Sequence, residues 1–428
     1  MPSQDGAAGT SQERRWALKV VVAGFALALG LASPGAAAVL ECASADVACL
    51  IAAINTANAN GEVNAIRLQP GAYTLTAPNN TTPDGPNGLP SITSLLTIIG
   101  AGAGHTIIER ETTAPFFRLL HVAPTGLLKL ERLTVRGGRL PPFNPGGGGL
   151  LNRGTAIISQ SALTDCVTGA DGGGGGIASF GRLVIAGSTI SRNLSSGPGG
   201  GVSSLAGLLT VVNSTISGNL GSLGGGLFIG PQMALIIGST IADNLANDGN
   251  GGGVFSFSTA MAIINSTLAG NRTPFGGGGL SGGGGIIVNT TIADNSSSPS
   301  DTDALSTSSA LALYNTIVAG RRHFLGQPAC GAATPGASPP TSLGNNLFTD
   351  PRCAVALLED DLIADLRLGD FTDNGTPGRG FLPLLPDSPA IDAADNAACL
   401  PTDQLGRQRV DGSCDIGAIE GVGPASPR

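Results

Sequence analysis

Two aspartates occupy one position of a repeated motif, Asp243 in GSTIADN (238–244) and Asp294 in NTTIADN (289–295). A pair of carboxylates can share acid and base work on a glycosidic bond, and an inverting pair stands about 6.5–9.5 Å apart. In order along the chain the same position holds Asp165, Arg192, Gly218, Asp243, Gly270 and Asp294. Asp and Gly are also what a tight corner takes up. No Lys, His or Tyr recurs beside them as a partner acid or base, so the corner reading outweighs the catalytic one. Arg192 and Asp165 are expected to form an exposed pair worth under about 1 kcal/mol.

Metal chemistry has less to work with. Asp301 with Asp303, and Asp360 with Asp361, offer oxygen ligands for Ca²⁺, but neither pair has the spacing of a known calcium loop, and solvated turns are expected. The run GADGGGGG (169–176) lacks the residues of a calcium-binding nonapeptide. His105, His121 and His323 are scattered, which excludes the clustered Cys/His pattern of a zinc site, and no cofactor is expected. Cys166 has no His near it in sequence and reads as a buried thiol rather than a nucleophile.

The elements that must position these residues come from an internal repeat. GSTISRN (187–193), NSTISGN (213–219), GSTIADN (238–244), NSTLAGN (265–271) and NTTIADN (289–295) are copies. RLTVRGG (132–138), SALTDC (161–166) and NTIVAG (315–320) are degenerate ones. Anchored at 134, 162, 189, 215, 240, 267, 291 and 316, the copies lie 24–28 residues apart. Glycine runs ending in an aliphatic, at Leu150, Ile177, Val202, Leu227, Val254 and Leu280, keep the same period. Runs such as Leu208–Val212, Leu235–Ile237 and Ile286–Val288 lie between them and are too short for helices. A unit of this size cannot bury its own face, so units must stack. Three strands per repeat give a parallel β-helix of about ten rungs, a rod of roughly 50 Å at about 4.8 Å per rung. Ile190, Ile216, Ile241, Leu268, Ile292 and Ile317 are expected to form one inward column. Asn193, Asn219, Asn244, Asn271 and Asn295 form another, where stacked amides can bond along the axis. Cys166 stands where this ladder's Asn is expected. Phe180, Phe228, Phe255 and Phe257 follow the glycine runs and read as a stacked core column. Thr189, Thr215, Thr240, Thr267, Thr291 and Thr316 form an outward row. The next outward residues, Ser191, Ser217, Ala242, Ala269 and Ala293, do not supply the second Thr row of an ice-binding face. The Asn-x-Ser/Thr triplets arise from the repeat and need not be glycosylated.

Composition limits the alternatives. The chain has 67 glycines in 428 residues, 12% charged and 41% hydrophobic residues. Glycine does not recur every third residue, which excludes collagen, and this much glycine opposes a bundle of long helices. The net charge of −8 argues against nucleic acid and against anionic membranes. Residues 1–38 read as an export signal: Arg14, Arg15 and Lys19, an apolar run Val20–Leu31, and Ala36-Ala37-Ala38 before the cut. The Arg14-Arg15 pair resembles a twin-arginine signal, from which Glu13 and Ala17 depart; the general secretory route fits better. Without this segment the net charge is −9, Lys129 is the only lysine, and no Trp remains. No later segment is long and apolar enough to span a bilayer. The spacing of the cysteines suggests local bridges Cys42–Cys49, Cys330–Cys353 and Cys399–Cys414, with Cys166 left over.

The ends must cover the open core of a β-helix. DVACLIAAINTANA (46–59) has aliphatics at Val47, Leu50, Ile51 and Ile54, a helix pattern with Asp46 as N-cap and Gly61 past the end. CLIAAINTAN (49–58) followed by AIRLQPGAYTLT (65–76) resembles the N-terminal segment named for its Cys-Ser-Leu-Arg-Glu-Ala signature. Cys49, Leu50, Ala53, Ile54, Ala57 and Asn58 match; the signature's Ser is missing, and Ile51-Ala52 stand for its Arg-Glu. SPAIDAAD (388–395), TDQLGRQR (402–409) and CDIGAIE (414–420) resemble the domain called choice-of-anchor Q, with Leu405 in place of its usual Arg. The middle is similar to the repeats of bacterial polymorphic outer-membrane proteins. These resemblances imply an exported bacterial right-handed parallel β-helix of the pectin-lyase-like type, with no agreed activity.

The expected organisation is a signal peptide (1–38), an N-terminal cap (39–64), a parallel β-helix (65–325) and an irregular, disulfide-bonded C-terminal extension and cap (326–428). The expected protein is a secreted or cell-surface monomer that binds or builds, presenting ladders of Ser, Thr and Asn to a polysaccharide or cell-surface partner. The alternative is a lyase or glycoside hydrolase acting on acidic polysaccharide, with Asp243 and Asp294 as its carboxylates.

Overall fold

Each repeat alternates aliphatic and small polar residues over three to five positions, and the chain turns this alternation into short strands with one face inward. A computed structural model describes residues 38–421 except 170–171, 299–301, 321–327, 333–338, 355 and 410–411. The expected signal peptide (1–37 of it), Asp301 and His323 lie outside the described residues. The strands stack as a right-handed parallel β-helix of about 11 turns. Among the described residues two sheets hold 12 strands each, a third holds nine, and a fourth, of four very short strands, lies between the second and third along the chain. The first sheet opens with Ala38–Cys42 paired in parallel to Asn64–Leu68. This strand precedes the first full turn and lies in the stretch expected to be cap.

The core is one column system. Ile190, Ile216, Ile241, Leu268 and Ile292 are fully buried in it, each worth about 1.5–3 kcal/mol of burial. The expected sixth member is corrected. The rung that follows NTTIADN pairs Thr291 with Ile317 and Ile292 with Val318. Val318 is therefore the core residue, and Ile317 takes the outward place expected for Thr316. The NTIVAG copy is in register at Ile317, one residue later than its expected anchor at 316, and a one-residue slip reverses the facing of every side chain.

The Asn ladder is continuous and buried. The Nδ2 of Asn193, Asn219, Asn244 and Asn271 each donates to the Oδ1 of the next Asn at 2.9–3.0 Å. Each accepting Oδ1 also takes the backbone N–H of the ladder Asn one rung before it. The backbone N of Cys166 joins the ladder by donating to Asn193 Oδ1 at 3.0 Å. The ladder explains one glycine of each run. A Cβ on Gly226 would stand 2.9 Å from the Asn244 amide and 2.8 Å from the carbonyl of Gly253. Only glycine lets the amide and the next coil come this close.

At the N-terminal end a helix, Val47–Ala59, buries Leu50, Ala53, Ile54 and Ala57, and Asp46 caps it through Cys49 N. A disulfide ties Cys42 to Cys49. At the other end Phe348, Cys353 and Ala354 close the core, and Cys330 is bonded to Cys353. The remaining chain is not part of that end cap. From about Leu366 to Glu420 it runs back along the outside of the second sheet as a strap, with its own disulfide Cys399–Cys414.

Candidate functional site

The outer face of the second sheet is built from Thr-x-Ser/Ala strands, whose middle residue points to the core. Its downstream half is covered by the strap. Gly378 N donates to Thr215 Oγ1 at 2.8 Å, and Thr240 Oγ1 donates to the Gly380 carbonyl at 2.7 Å. Thr267 Oγ1 donates to Gln404 Oε1 at 2.6 Å, and Ala418 N donates to Thr291 Oγ1 at 3.1 Å. A corner column helps: the side-chain amides of Asn265, Asn289 and Asn315 donate to the carbonyls of Thr402, Ala398 and Asp395. The expected display of Thr and Asn ladders to a partner is corrected by these contacts. The Asn ladder is interior, and the Thr row from Thr215 to Thr291 is filled by the chain's own C-terminal segment.

Upstream the same face is open and charged. One hollow of about 470 Å³ is lined by Glu109, Arg110, Thr112, Arg136, Gly137, Arg139, Asp165 and Val167. A second, of about 280 Å³, is lined by Thr189, Ser191, Arg192, Thr215, Ser217, Gly218, Asp243, Asp373 and Gly375. The two adjoin at Asp165 and Arg192, whose side chains bond at 2.9 and 3.0 Å. Together they form a groove along the rod axis that ends against the strap at Asp373–Gly375.

The corner column lines this groove because its backbone demands left-handed angles. Asp165, Arg192, Gly218, Asp243, Gly270 and Asp294 all have φ between 54° and 68°, which Asp and Gly tolerate better than most residues. Charge is divided along the groove. The upstream hollow has three guanidinium groups and two carboxylates; the downstream one has a single guanidinium and two carboxylates. Arg136 Nε pairs with Glu109 Oε2 at 2.6 Å. Arg110 is buried and spends its donors on the carbonyls of Glu111, Ala114 and Gly137. Arg139 is exposed, lies over the Phe116 ring at 4.5 Å, and has no ion pair among the described residues.

Burial raises the Asp165 carboxyl, but hydrogen bonds from Arg192 and Thr164 outweigh it and hold the group below the usual range. Asp243 goes the other way. Burial of its carboxyl raises it, Arg272 opposes, and the neighbouring charge of Asp373 raises it further. A carboxylate pushed upward beside a second carboxylate is the arrangement that favours proton donation.

Asp243 and Asp294 do share one column two rungs apart, roughly 10 Å by rung spacing. Only Asp243 lines the groove. Ala269, on the rung between them, is sealed under the strap, as is Ala293 on the rung of Asp294. The carboxylate beside Asp243 is Asp373, from a turn that carries no repeat and so gave no spacing signal.

Other expected positions resolve into structure. Asp361 braces a turn: its oxygens accept from Ser342 Oγ, Asn346 and Leu358 N. Asp303 Oδ1 accepts from Ser297 N at 2.8 Å. Among the described residues no group of three or more His, Cys, Asp or Glu is placed to hold a metal. Cys166 is buried, and burial pushes its thiol up to about 12, far from thiolate chemistry. The aromatic column is corrected: it stands on the outer face of the third sheet and not in the inner core, with Phe228 buried under its neighbours. Phe228 pairs with Phe255 in register, beside Leu227 and Val254, which point inward. The two rings stack at 5.8 Å, and exposed Phe257 meets Phe255 edge-on at 5.0 Å. The alternation in GGGLF already placed the ring outside.

One cluster carried no sequence signal. Ser91 Oγ lies 2.9 Å from His121 Nδ1, whose Nε2 lies 3.5 Å from Asp84 Oδ2. Asp84 is also gripped by Arg153, whose Nε stands 2.6 Å from Oδ2. Buried Arg118 binds Asn87 Oδ1 and the Asp84 carbonyl. Burial, helped by Arg118, pushes His121 down to about 4, so the imidazole is neutral. The cluster pins the inserted hairpin Asn80–Thr82/Gly85–Asn87 to the third sheet.

These features define a parallel β-helix with a polarised surface groove and a C-terminal strap. No family model matches the chain, and no curated protein matches it. Among solved structures it is similar to the pectate lyase Pel9A, at 14% identity and a TM-score of 0.46 over 86% of this chain and 90% of that one. It is also similar to the A-module of the mannuronan C-5 epimerase AlgE6 of Azotobacter vinelandii, at 13% identity and a TM-score of 0.44 over 77% of this chain and 96% of that one. For the AlgE4 A-module of the same organism the values are 17% and 0.39, over 76% and 95%. No site residue is carried over from these chains.

Proposed function

We propose that this protein is an exported β-helix that binds acidic polysaccharide in the groove of the second sheet. The observation that carries the reading is the upstream hollow, where Arg110, Arg136 and Arg139 outnumber Glu109 and Asp165 on a chain of net charge −8. A local excess of guanidinium on an acidic protein is a binding feature for carboxylates, which arginine engages in a planar fork. Arg139 is the group with a fork to offer. The three disulfides agree with an oxidising compartment, and no helix among the described residues is long and apolar enough to cross a membrane. The terminal resemblance to choice-of-anchor Q domains belongs to the same proposal, since its motifs make up much of the strap.

A second reading rests on Asp243. Its upward shift beside Asp373 suits a general acid, and makes cleavage of the bound polymer the alternative to binding alone. The test is to titrate the protein with polygalacturonate and alginate, with and without Ca²⁺, and to follow reducing and unsaturated ends. Binding that Arg139→Ala weakens about tenfold, the loss of one charged hydrogen-bonding group, supports the groove. Binding unaffected by Arg139→Ala, or no binding at all, overturns it. New chain ends decide for the second reading.

A further inference from the structure

We infer that the groove receives the end of a polyuronate chain and not its middle; this rests on the polysaccharide reading above. The groove follows the rod axis, from the rung of Glu109 through those of Arg136, Thr164 and Ser191 to that of Ser217. Four rung steps make about 19 Å. At the next rung the face is shut. Thr240 has no exposed surface and Ala242 is 2% exposed. Gly378 and Gly380 sit directly on Thr215 and Thr240 through hydrogen bonds of 2.8 and 2.7 Å. The strap crosses here as a tight antiparallel turn, with Thr372 and Phe381 exchanging two backbone bonds of 2.9 Å. Its tip, Asp373–Gly375, forms the wall. A polymer lying along the axis cannot continue past it.

The chemistry of the wall fits a terminus. Asp243 and Asp373 present only acceptor oxygens when ionised, and they repel a uronate carboxylate. A terminal sugar has a hydroxyl that an internal sugar spends on its linkage. That hydroxyl can donate to the wall while the chain's carboxylates run back toward Arg192, Arg136 and Arg139. The groove's polarity therefore assigns the end to the strap and the chain body to the upstream guanidinium groups.

The experiment uses the full chain with oligogalacturonates of graded length and with polygalacturonate, intact and sheared. Affinity per chain is expected to level off once an oligomer fills the groove, and shearing is expected to raise binding in proportion to chain ends at constant mass. Blocking one end with a bulky label is expected to lower affinity about tenfold or more, the loss of a hydrogen bond to a carboxylate. Reducing-end and non-reducing-end labels, used separately, tell which end enters. Deletion of residues 374–375 at the exposed tip is expected to let doubly blocked polymer bind. Doubly blocked polymer that binds the unaltered protein undiminished, with affinity scaling on uronate units, overturns end recognition and leaves the groove reading intact. No binding to any of these probes overturns both.

Discussion

The upstream and downstream halves of the second sheet's outer face are made from the same repeat and have opposite fates. Downstream, the Thr row is dry: its hydroxyls are spent on Gly378, Gly380, Gln404 and Ala418. Upstream, the same row carries Ile107, Thr134, Ala162 and Thr189, and the row beside it carries Glu109, Arg136, Thr164 and Ser191 next to the charged corners Asp165 and Arg192, with no strap over them. The difference is not in backbone or rung spacing, which are continuous through both. It lies in which small outward side chains can accept a second segment of chain. Thr with Ala, as in Thr240–Ala242 and Thr267–Ala269, leaves a low surface with one hydrogen-bonding atom per rung, and the strap packs on it. Arg136, Asp165 and Arg192 project too far and too strongly hydrated for the strap to follow.

The largest expected effect on this contrast comes from the strap's buried ion pair. Arg409 Nη1 meets Glu420 Oε2 at 2.5 Å with both side chains under 10% exposed, and Arg409 also binds the carbonyls of Asp415 and Gly417. Arg409→Ala leaves a buried carboxylate without its partner, at about 3–5 kcal/mol. The strap should become sensitive to limited proteolysis while the rod keeps its far-ultraviolet circular dichroism. Loss of the whole rod's cooperativity would mean that strap and rod are one unit, and the contrast between the halves would be only one of surface.

Gln404→Leu is the next step down. Gln404 Nε2 reaches Thr240 Oγ1, Gly378 O and Gly380 O, and its Oε1 takes the Thr267 hydroxyl. Removing the amide leaves several buried groups short of a partner, for about 2–3 kcal/mol. Hydrogen exchange should show faster opening at Gly378 and Ala418, with little change at Leu163 or Ile190.

The two regions should also answer pH in opposite directions. His121, upstream, is held near 4 when folded against an ordinary value of 6.5. The unfolded state therefore binds the extra proton first, and stability around the inserted hairpin falls as pH drops from about 6.5 toward 4, by up to about 3 kcal/mol. Asp415, in the strap, is raised by burial, with Asp392 adding to it. Its folded state holds the proton longer, so the strap loses stability as pH rises through the raised value. Exchange rates measured by region across this range should cross: acid loosens the hairpin and tightens the strap. Parallel responses in both regions would remove the electrostatic part of the comparison.

What was legible in the sequence follows from the same contrast. Periodic features could be read: the rungs, the inward Ile column, the Asn ladder and the glycines that make room for it. Each is imposed many times by the stacking of identical coils. The strap could not be read that way. Its contacts are single and long-range, made by backbone atoms and isolated side chains such as Gln404 of an irregular segment, so Asp373 had no pattern to place it beside Asp243. The Ser91, His121 and Asp84 cluster was hidden because its members come from an insertion and a degenerate rung. Two misreadings were within reach of the sequence. The alternation in GGGLF put Phe228 outside, and aligning Val318 with Ile292 would have moved the final anchor by one residue.

The smallest structural effect gives the sharpest functional test. Asp243 sits at the junction of the two halves, with a left-handed backbone that Asn also accepts. Its carboxyl is raised by burial and by the neighbouring Asp373, so the folded protein favours the ionised form less than water does. Asp243→Asn removes that charge beside Asp373 without changing shape. Because the group is solvent-accessible, the expected gain in stability is under about 1 kcal/mol, visible as a melting point that is unchanged or slightly higher. Binding of polyuronate should hold, since the amide Oδ1 still accepts the terminal hydroxyl while one repulsive charge has gone from the wall. If cleavage is the protein's work, product formation should fall by about a hundredfold or more, the usual share of a general acid. A variant that binds, melts as before and still cuts would remove Asp243 from the chemistry and leave the groove as a binding surface alone.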